Sequence, residues 1–307
     1  LTFDPLVKRP FMIHLGHFAR HHRVYQRGCA ASRSARDLKS AVSGLYGGLV
    51  TLSSGLTLGV IWRTSMQFRD DYEALGFCEP VDVLGLFARH RLVHHIKSKA
   101  LKSPTSWYKG LAASDPKIRQ IGLLPSIVGR VRELIGPDIV LWGANVIRRK
   151  PGQVHPWHCD MESHRPGGGF VTAWLGLENV TPQTSPIFIT RTHINPKPVQ
   201  QVRAENDIER TALDDEAALA LARKADPQCQ LAMPAVRNGQ AILFDGRIWH
   251  ATHNTQRERT RLALLLQYCR TGIEVRMPVD DQHEWPFEMT DRIAPVTAVG
   301  RSKAAWQ

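Results

Sequence analysis

Two histidines and two acids fall within nine residues at His155-Pro156-Trp157-His158-Cys159-Asp160-Met161-Glu162-Ser163. Along an extended chain side chains alternate faces, so residues two apart share one. His158 and Asp160 therefore point the same way and Cys159 turns from them. His155, three positions earlier, points oppositely unless a bulge intervenes. A neutral imidazole and a monodentate carboxylate can fill two neighbouring corners of an octahedron, and a third ligand must come from elsewhere. His250 is the candidate: it ends an apolar strand that follows Asn238-Gly239 and precedes a turn-like Thr252-His253-Asn254. His158, Asp160 and His250 would make a face of two histidines and one carboxylate, which leaves three positions open on ferrous iron. Two of these suit a bidentate 2-oxo acid and the third suits O2, whereas an all-protein tetrahedral zinc cage would close the site.

A dicarboxylic 2-oxo acid has a second carboxylate, for which the planar guanidinium is the suited partner. Arg257, Arg259 and Arg261 share one strand parity after His250. Arg261 leads directly into Leu262, Ala263, Leu264, Leu265 and Leu266, so it is the one expected inside a β core. Thr252, two after His250, could add a hydroxyl to the same acid. His155 reads as a polar neighbour supporting the metal histidines. Glu162 keeps the parity of Asp160 but reads as a solvated loop acid. Trp157 and Trp249 are expected to pack, and Arg148, Arg149 and Lys150 could meet an anionic substrate, with a solvated strand end as the default reading.

The elements that must position these residues begin near Met66. Val83, Leu84, Phe87, Leu92 and Ile96 have helical spacing, and residues 114–135 read as one helix. Ser114 or Asp115 can cap that helix, Pro116 suits its first position, and Gly136-Pro137 ends it. From residue 138 onward β-type patterns dominate, interrupted by an Ala-rich, charged helical insert at about 203–225. Helices first, then many strands broken by Gly and Pro, imply an α+β layout, mainly β, with a closed or sandwiched β core.

The first 63 residues differ in character. They hold nine Lys/Arg against Asp4 and Asp37, so +7 of the chain's net +12 arises there. After residue 64 no basic stripe interleaved with aromatics is seen, so a small molecule and not nucleic acid is the expected partner. Residues 41–62 form a Gly-rich, uncharged run, long enough to span a bilayer but of middling apolarity; peripheral membrane contact is weighed alongside a buried or poorly structured segment. The division expected is a basic N-terminal extension, 1–63, and a catalytic domain, 64–307. Five scattered cysteines with no C-x-x-C argue against a disulfide framework and fit a reducing, cytoplasmic setting, with membrane association through 41–62 left open.

Three stretches together resemble the phytanoyl-CoA dioxygenase-like branch of the Fe(II)/2-oxoglutarate-dependent oxygenases: WHCD at 157–160, WLGLENVTPQTSPIFITRTHI at 174–194, and NGQAILFDGRIWHATHN followed by RTRLALLLQY between 238 and 268. FRDDYEALGF, from Phe68, is similar to that family's usual opening, and the resemblance runs from about 66 to 275. It implies a double-stranded β-helix (a jelly-roll, cupin-like core) with helices packed on one face. It implies Fe(II) on His158, Asp160 and His250, with 2-oxoglutarate and O2 as cosubstrates and Arg261 on the distal carboxylate. It places Thr172 and Trp174 on a strand beside the cosubstrate, with Asn145 a weaker claimant, and makes His193 the counterpart of the family's strand-end histidine. The reaction implied is decarboxylation to succinate and CO2 coupled to hydroxylation of an unactivated C–H in a small-molecule or lipid-linked substrate. Two other classes share these ligands: a metal cupin of isomerase or sugar-modifying type, which would not need Arg261, and a non-catalytic jelly-roll binding module.

Overall fold

Apolar residues one helical turn apart, such as Leu92/Ile96 and Ile127/Val131, require a hydrophobic surface to cover. In the computed structural model, which describes residues 65–99, 109–160, 168–195, 197–273 and 296–300, that surface is one face of a β-sheet. The helices are α1 (Ser65–Leu75), α2 (Leu86–Ser98), α3 (Leu111–Ser114), α4 (Pro116–Gly122) and α5 (Pro125–Ile135). The single helix expected over 114–135 is thus broken. Asp115 caps α4, accepting from the Lys117 and Ile118 amides at 2.9 and 3.0 Å. Pro125 then ends it early: a proline disfavours helical backbone at the preceding residue, and Leu124 is extended at ψ 131° while Pro125 becomes the first residue of α5. Gly136, at φ 101°, follows α5.

The strands are β1 (Val81–Asp82), β2 (Ile139–Arg149), β3 (Val154–His158), β4 (Phe170–Glu178), β5 (Pro186–Ile189), β6 (Leu231–Ala232), β7 (Gln240–Asp245), β8 (His250–His253), β9 (Arg261–Arg270) and β10 (Val296–Val299). They form two antiparallel sheets, a larger one ordered β1-β7-β4-β9-β2-β10 and a smaller one ordered β3-β8-β5-β6. Together they make the double-stranded β-helix. The larger sheet turns Leu141, Val171, Ala173, Leu175, Leu243, Leu264 and Leu266 outward against the helices. Its other face, with Trp174, Ile242, Phe244, Ala263 and Leu265, packs on Phe188 of the smaller sheet. Each such fully buried aliphatic or aromatic side chain contributes about 1.5–3 kcal/mol, which fixes which face of β9 points inward.

The insert is two helices, α6 (Val199–Glu205) and α7 (Asp215–Ala225), where the sequence pattern suggested one at 203–225. Asp207 at φ 52° interrupts them, and Asp214 starts the second by accepting from the Ala217 amide at 2.8 Å. Val199, Leu213, Ala218, Leu221 and Ala222 cover Trp157, Cys159, Ile187, Ile189, Trp249 and Ala251, the outer face of the smaller sheet. The insert therefore backs the strands that carry His158 and His250. Among the described residues no helix is long and apolar enough to cross a membrane. The extension 1–63 with its 41–62 run, the boundary after residue 63, and Glu162 lie outside the described residues.

Candidate metal centre

β3 and β8 are adjacent strands of the smaller sheet, and their register sets His158 directly opposite His250. Alternation then forces both imidazoles to the inner face while Trp157, Cys159, Trp249 and Ala251 face the insert. Asp160 lies just beyond the end of β3 and returns to the same side. Its Oδ1 is 3.8 Å from His158 Nε2 and 3.7 Å from His250 Nε2, and the ligand atoms of all three lie within 4.8 Å of one another. Donors held by one first-row divalent ion at about 2.1 Å sit about 3–3.5 Å apart, so the carboxylate oxygen stands close to coordinating distance from both imidazoles.

The tautomers suit a metal as well. His158 Nδ1 lies 2.9 Å from the Pro156 carbonyl and His250 Nδ1 lies 3.0 Å from the Ile248 carbonyl. A carbonyl only accepts, so each Nδ1 carries the proton and each Nε2 turns its lone pair inward. Burial, reinforced by His250, pushes His158 down to about 3, so it is neutral near pH 7. Burial works against the charge on Asp160, but His250, Lys109, His158 and a hydrogen bond from Thr172 outweigh it and hold the carboxyl below its ordinary value. Thr172 Oγ donates to Asp160 Oδ2 at 2.6 Å, which leaves Oδ1 aimed between the imidazoles. The Phe244 ring lies tilted at 57° to the His250 ring, 4.8 Å away, and walls the site from the core.

His155 departs from the simple alternation. The β3/β8 register is irregular between His155 and His158, and this irregularity sets the two rings face to tilted face at 4.0 Å. His155 thus buttresses a ligand ring instead of pointing away. Burial and the neighbouring His158 push its pKa well down, as befits a neutral support.

Arg261 opens β9 and is fully buried. It donates from Nη1 to the Thr184 carbonyl at 2.7 Å and from Nη2 to Thr252 Oγ at 3.1 Å, while its Nε has no partner. Its guanidinium lies 5.3 Å from the Trp174 ring centroid. Burial, with Arg149 adding repulsion, lowers it to about 10, so it remains charged at neutral pH. A charge so buried needs a counter-anion, and among the described residues it pairs with no carboxylate. Arg257 and Arg259 precede the strand and are exposed. Thr172, Trp174 and Thr252 are all buried, the first against Asp160 and the other two against Arg261.

Other residues read from the sequence fall as follows. Trp157 and Trp249 pack under the insert, and Trp157 Nε1 donates to Asp215 at 3.1 Å. Asn145 is buried on inward-facing β2, its Oδ1 without a partner. His193 is buried away from the three ligands and donates from Nε2 to the Glu73 carbonyl at 3.1 Å, tying the end of α1 to the loop after β5. Arg148 and Lys150 are exposed, but Arg149 is half-buried opposite Arg261, which the strand-end reading did not foresee. Gln267 was also missed. Its signal was available: it is the one uncharged polar residue of Arg261, Ala263, Leu265 and Gln267, the inward set of β9.

The sequence model of the phytanoyl-CoA dioxygenase (PhyH) family matches residues 87–263. No curated protein matches the chain. Among solved structures the chain is similar to the epimerase SnoN of nogalamycin biosynthesis, in complex with Fe3+, α-ketoglutarate and a nogalamycin (TM-score 0.54, 16% identity, 77% of this chain and 96% of that one). It is similar to HygX from Streptomyces hygroscopicus with nickel and 2-oxoglutarate bound (TM-score 0.52, 18% identity, 68% and 90%). It is also similar to the non-heme monooxygenase ThoJ in its nickel complex (TM-score 0.53, 16% identity, 78% and 86%). At these identities the likeness is one of fold.

Proposed function

The chain belongs to the phytanoyl-CoA dioxygenase family, and from that premise we propose that it is an Fe(II)- and 2-oxoglutarate-dependent oxygenase that hydroxylates an unactivated C–H of a small molecule. The observation that carries the reading is the convergence of His158, Asp160 and His250 on one point, next to a buried arginine that no described carboxylate neutralises. The ion, with 2-oxoglutarate and O2, would supply the oxidising power.

What this chain's own residues do follows from their positions. His158, Asp160 and His250 would hold the ion through two Nε2 lone pairs and one carboxylate oxygen. Thr172 keeps Asp160 from rotating by occupying its second oxygen. Arg261 would take the distal carboxylate of 2-oxoglutarate, with its free Nε among the donors and the Thr252 hydroxyl at its side. Trp174 stacks near that guanidinium and limits its motion. Phe188 and Phe244 exclude water from the inner wall.

Anaerobic titration with ferrous iron and then 2-oxoglutarate tests the reading. A weak visible absorption is expected on adding the second component, and oxygen should then release succinate. In Asp160→Ala both signals should vanish with the far-ultraviolet circular dichroism unchanged. Substantial succinate release by that variant would sink the assignment.

A further inference from the structure

Cys159 stands between two of the three ligands, one position beyond the end of β3, and is fully buried. The β3/β8 ladder closes with His158 opposite His250, so the Cys159 amide and carbonyl need partners outside it. Both meet the same side chain. Gln200 of α6 accepts from the Cys159 amide through Oε1 at 3.1 Å and donates from Nε2 to the Cys159 carbonyl at 3.0 Å. This pairing also fixes which end of the carboxamide is oxygen, because the reverse orientation would set donor on donor and acceptor on acceptor.

An extended residue turns its N–H and C=O to one side, as paired residues of an antiparallel sheet do when they exchange two hydrogen bonds. Gln200 therefore takes the part of a strand neighbour and holds Cys159 extended. That conformation is what brings His158 and Asp160 to one face, with Asp160 Oδ1 3.8 Å from His158 Nε2. Rotation at Cys159 would swing the carboxylate from the imidazole without disturbing β3. The Cys159 thiol, donating to the Arg247 carbonyl at 3.2 Å, anchors the same residue from its side-chain end.

The insert meets the ligand strands at two more such points. Trp157 Nε1 donates to Asp215 of α7 at 3.1 Å, and Trp249 Nε1 donates to the Lys197 carbonyl, just ahead of α6, at 3.3 Å. Trp157, Cys159 and Trp249 each adjoin a ligand in sequence. Among the described strands β3 pairs with β8 alone, and irregularly between His155 and His158. Its own ladder thus constrains the end of β3 weakly, and the insert adds what the ladder lacks.

We propose that Gln200 is a positioning residue of the metal centre: acting through the Cys159 backbone, it sets the angle between His158 and Asp160 and makes the two-helix insert an outer part of that centre. The assignment rests on the metal reading above and extends it to a segment that touches none of the ligand atoms. Coupling of this kind is reciprocal, so an ion on the three ligands should in turn steady α6.

The test uses the full chain and cobalt(II), a visible probe that needs no turnover. Gln200→Met keeps the length of the side chain and removes both hydrogen bonds. It is expected to weaken cobalt(II) binding about 10- to 100-fold and to alter the visible spectrum of the bound ion, with the far-ultraviolet circular dichroism of the metal-free protein unchanged. Gln201→Met makes the same change one position on, where the amide bonds to Glu205 at 2.9 Å, and should leave affinity and spectrum as they are. In the unaltered protein, cobalt(II) should slow deuterium uptake by α6 as well as by β3 and β8; this arm stands even where Gln200→Met fails to fold. Unaltered affinity and spectrum in Gln200→Met, or uptake by α6 that ignores the ion, would overturn the proposal while leaving the metal reading intact. An unaltered protein that binds no cobalt(II) would overturn both.

Discussion

Arg149 and Arg261 stand directly opposite each other on β2 and β9. Like charges at such a cross-strand position repel, and each guanidinium keeps a buried Nε without a partner. Among the described residues neither forms an ion pair with a carboxylate. A dianion entering between them would relieve both costs at once. Adding 2-oxoglutarate with a redox-inert divalent ion is therefore expected to raise Tm by several degrees. Arg261→Gln should weaken 2-oxoglutarate binding about 100-fold, the worth of a buried charge-assisted pair, and Arg149→Gln about 3- to 10-fold, read by anaerobic calorimetry. Wild-type affinity in Arg261→Gln would remove this residue from the site.

Thr172 acts on the metal only through Asp160. Thr172→Val should loosen the carboxylate and reduce divalent-ion affinity about 10- to 100-fold, while Thr172→Ser restores it. Cobalt(II) titration followed by its visible spectrum distinguishes the two. Equal affinities in all three proteins would show that the 2.6 Å hydrogen bond is incidental.

Gly76 ends α1 at φ +90°, and a Cβ there would stand 2.6 Å from His193 Nδ1 and 2.7 Å from Ile248 Cδ1. Gly76→Ala combines a left-handed backbone with a clash against His193 and against Ile248, which is two positions from His250. A loss of about 2 kcal/mol or more is expected in urea melts, along with reduced metal affinity as Ile248 shifts the strand. A variant as stable as the parent would mean that the loop yields freely.

Asp115 caps α4 and lies 2.9 Å from His95 Nε2. Burial would raise its pKa, but the Ile118 amide, His95 and the Lys117 amide prevail, and it falls below the ordinary value. The folded pKa is thus below the unfolded one, about 3.9. Its contribution is fully present above pH 4 and is lost as pH falls through the folded value. Asp115→Ala should cost about 1 kcal/mol at pH 7, and the gap should shrink as the pH falls below the unfolded value and through the lowered folded one. A pH-independent gap would contradict the ionic part of the argument.

Much of this was legible in the chain itself. The parity of His158 and Asp160 and the apolar run after Arg261 are local signals, and local signals are what periodicity carries; His250, expected to end the apolar strand, instead opens β8 of the other sheet, because the turn at Gly246-Arg247 ends β7 at Asp245. The broken helix at Pro125 was also written in the sequence, but its apolar spacing continues through the break and masks it. The orientation of His155 was not legible, because a register irregularity depends on what β8 offers opposite. The burial of Gln267, and that of Arg149 against the default of a solvated strand end, were not legible for the same reason. On β9 and β2 taken singly they are a polar residue in an apolar strand and a charge near its end; only the pairing of the strands shows what each faces.

β3, which bears His158 and leads to Asp160, is an outermost strand of the smaller sheet, and among the described strands none but β8 pairs with it. An ion gripping His158, Asp160 and His250 would rivet that strand to β8. Loaded protein should accordingly resist proteases at this margin, whereas iron-starved protein would fray from it. The turnover of the polypeptide in a cell would then track the supply of the metal, making abundance itself a readout of iron nutrition.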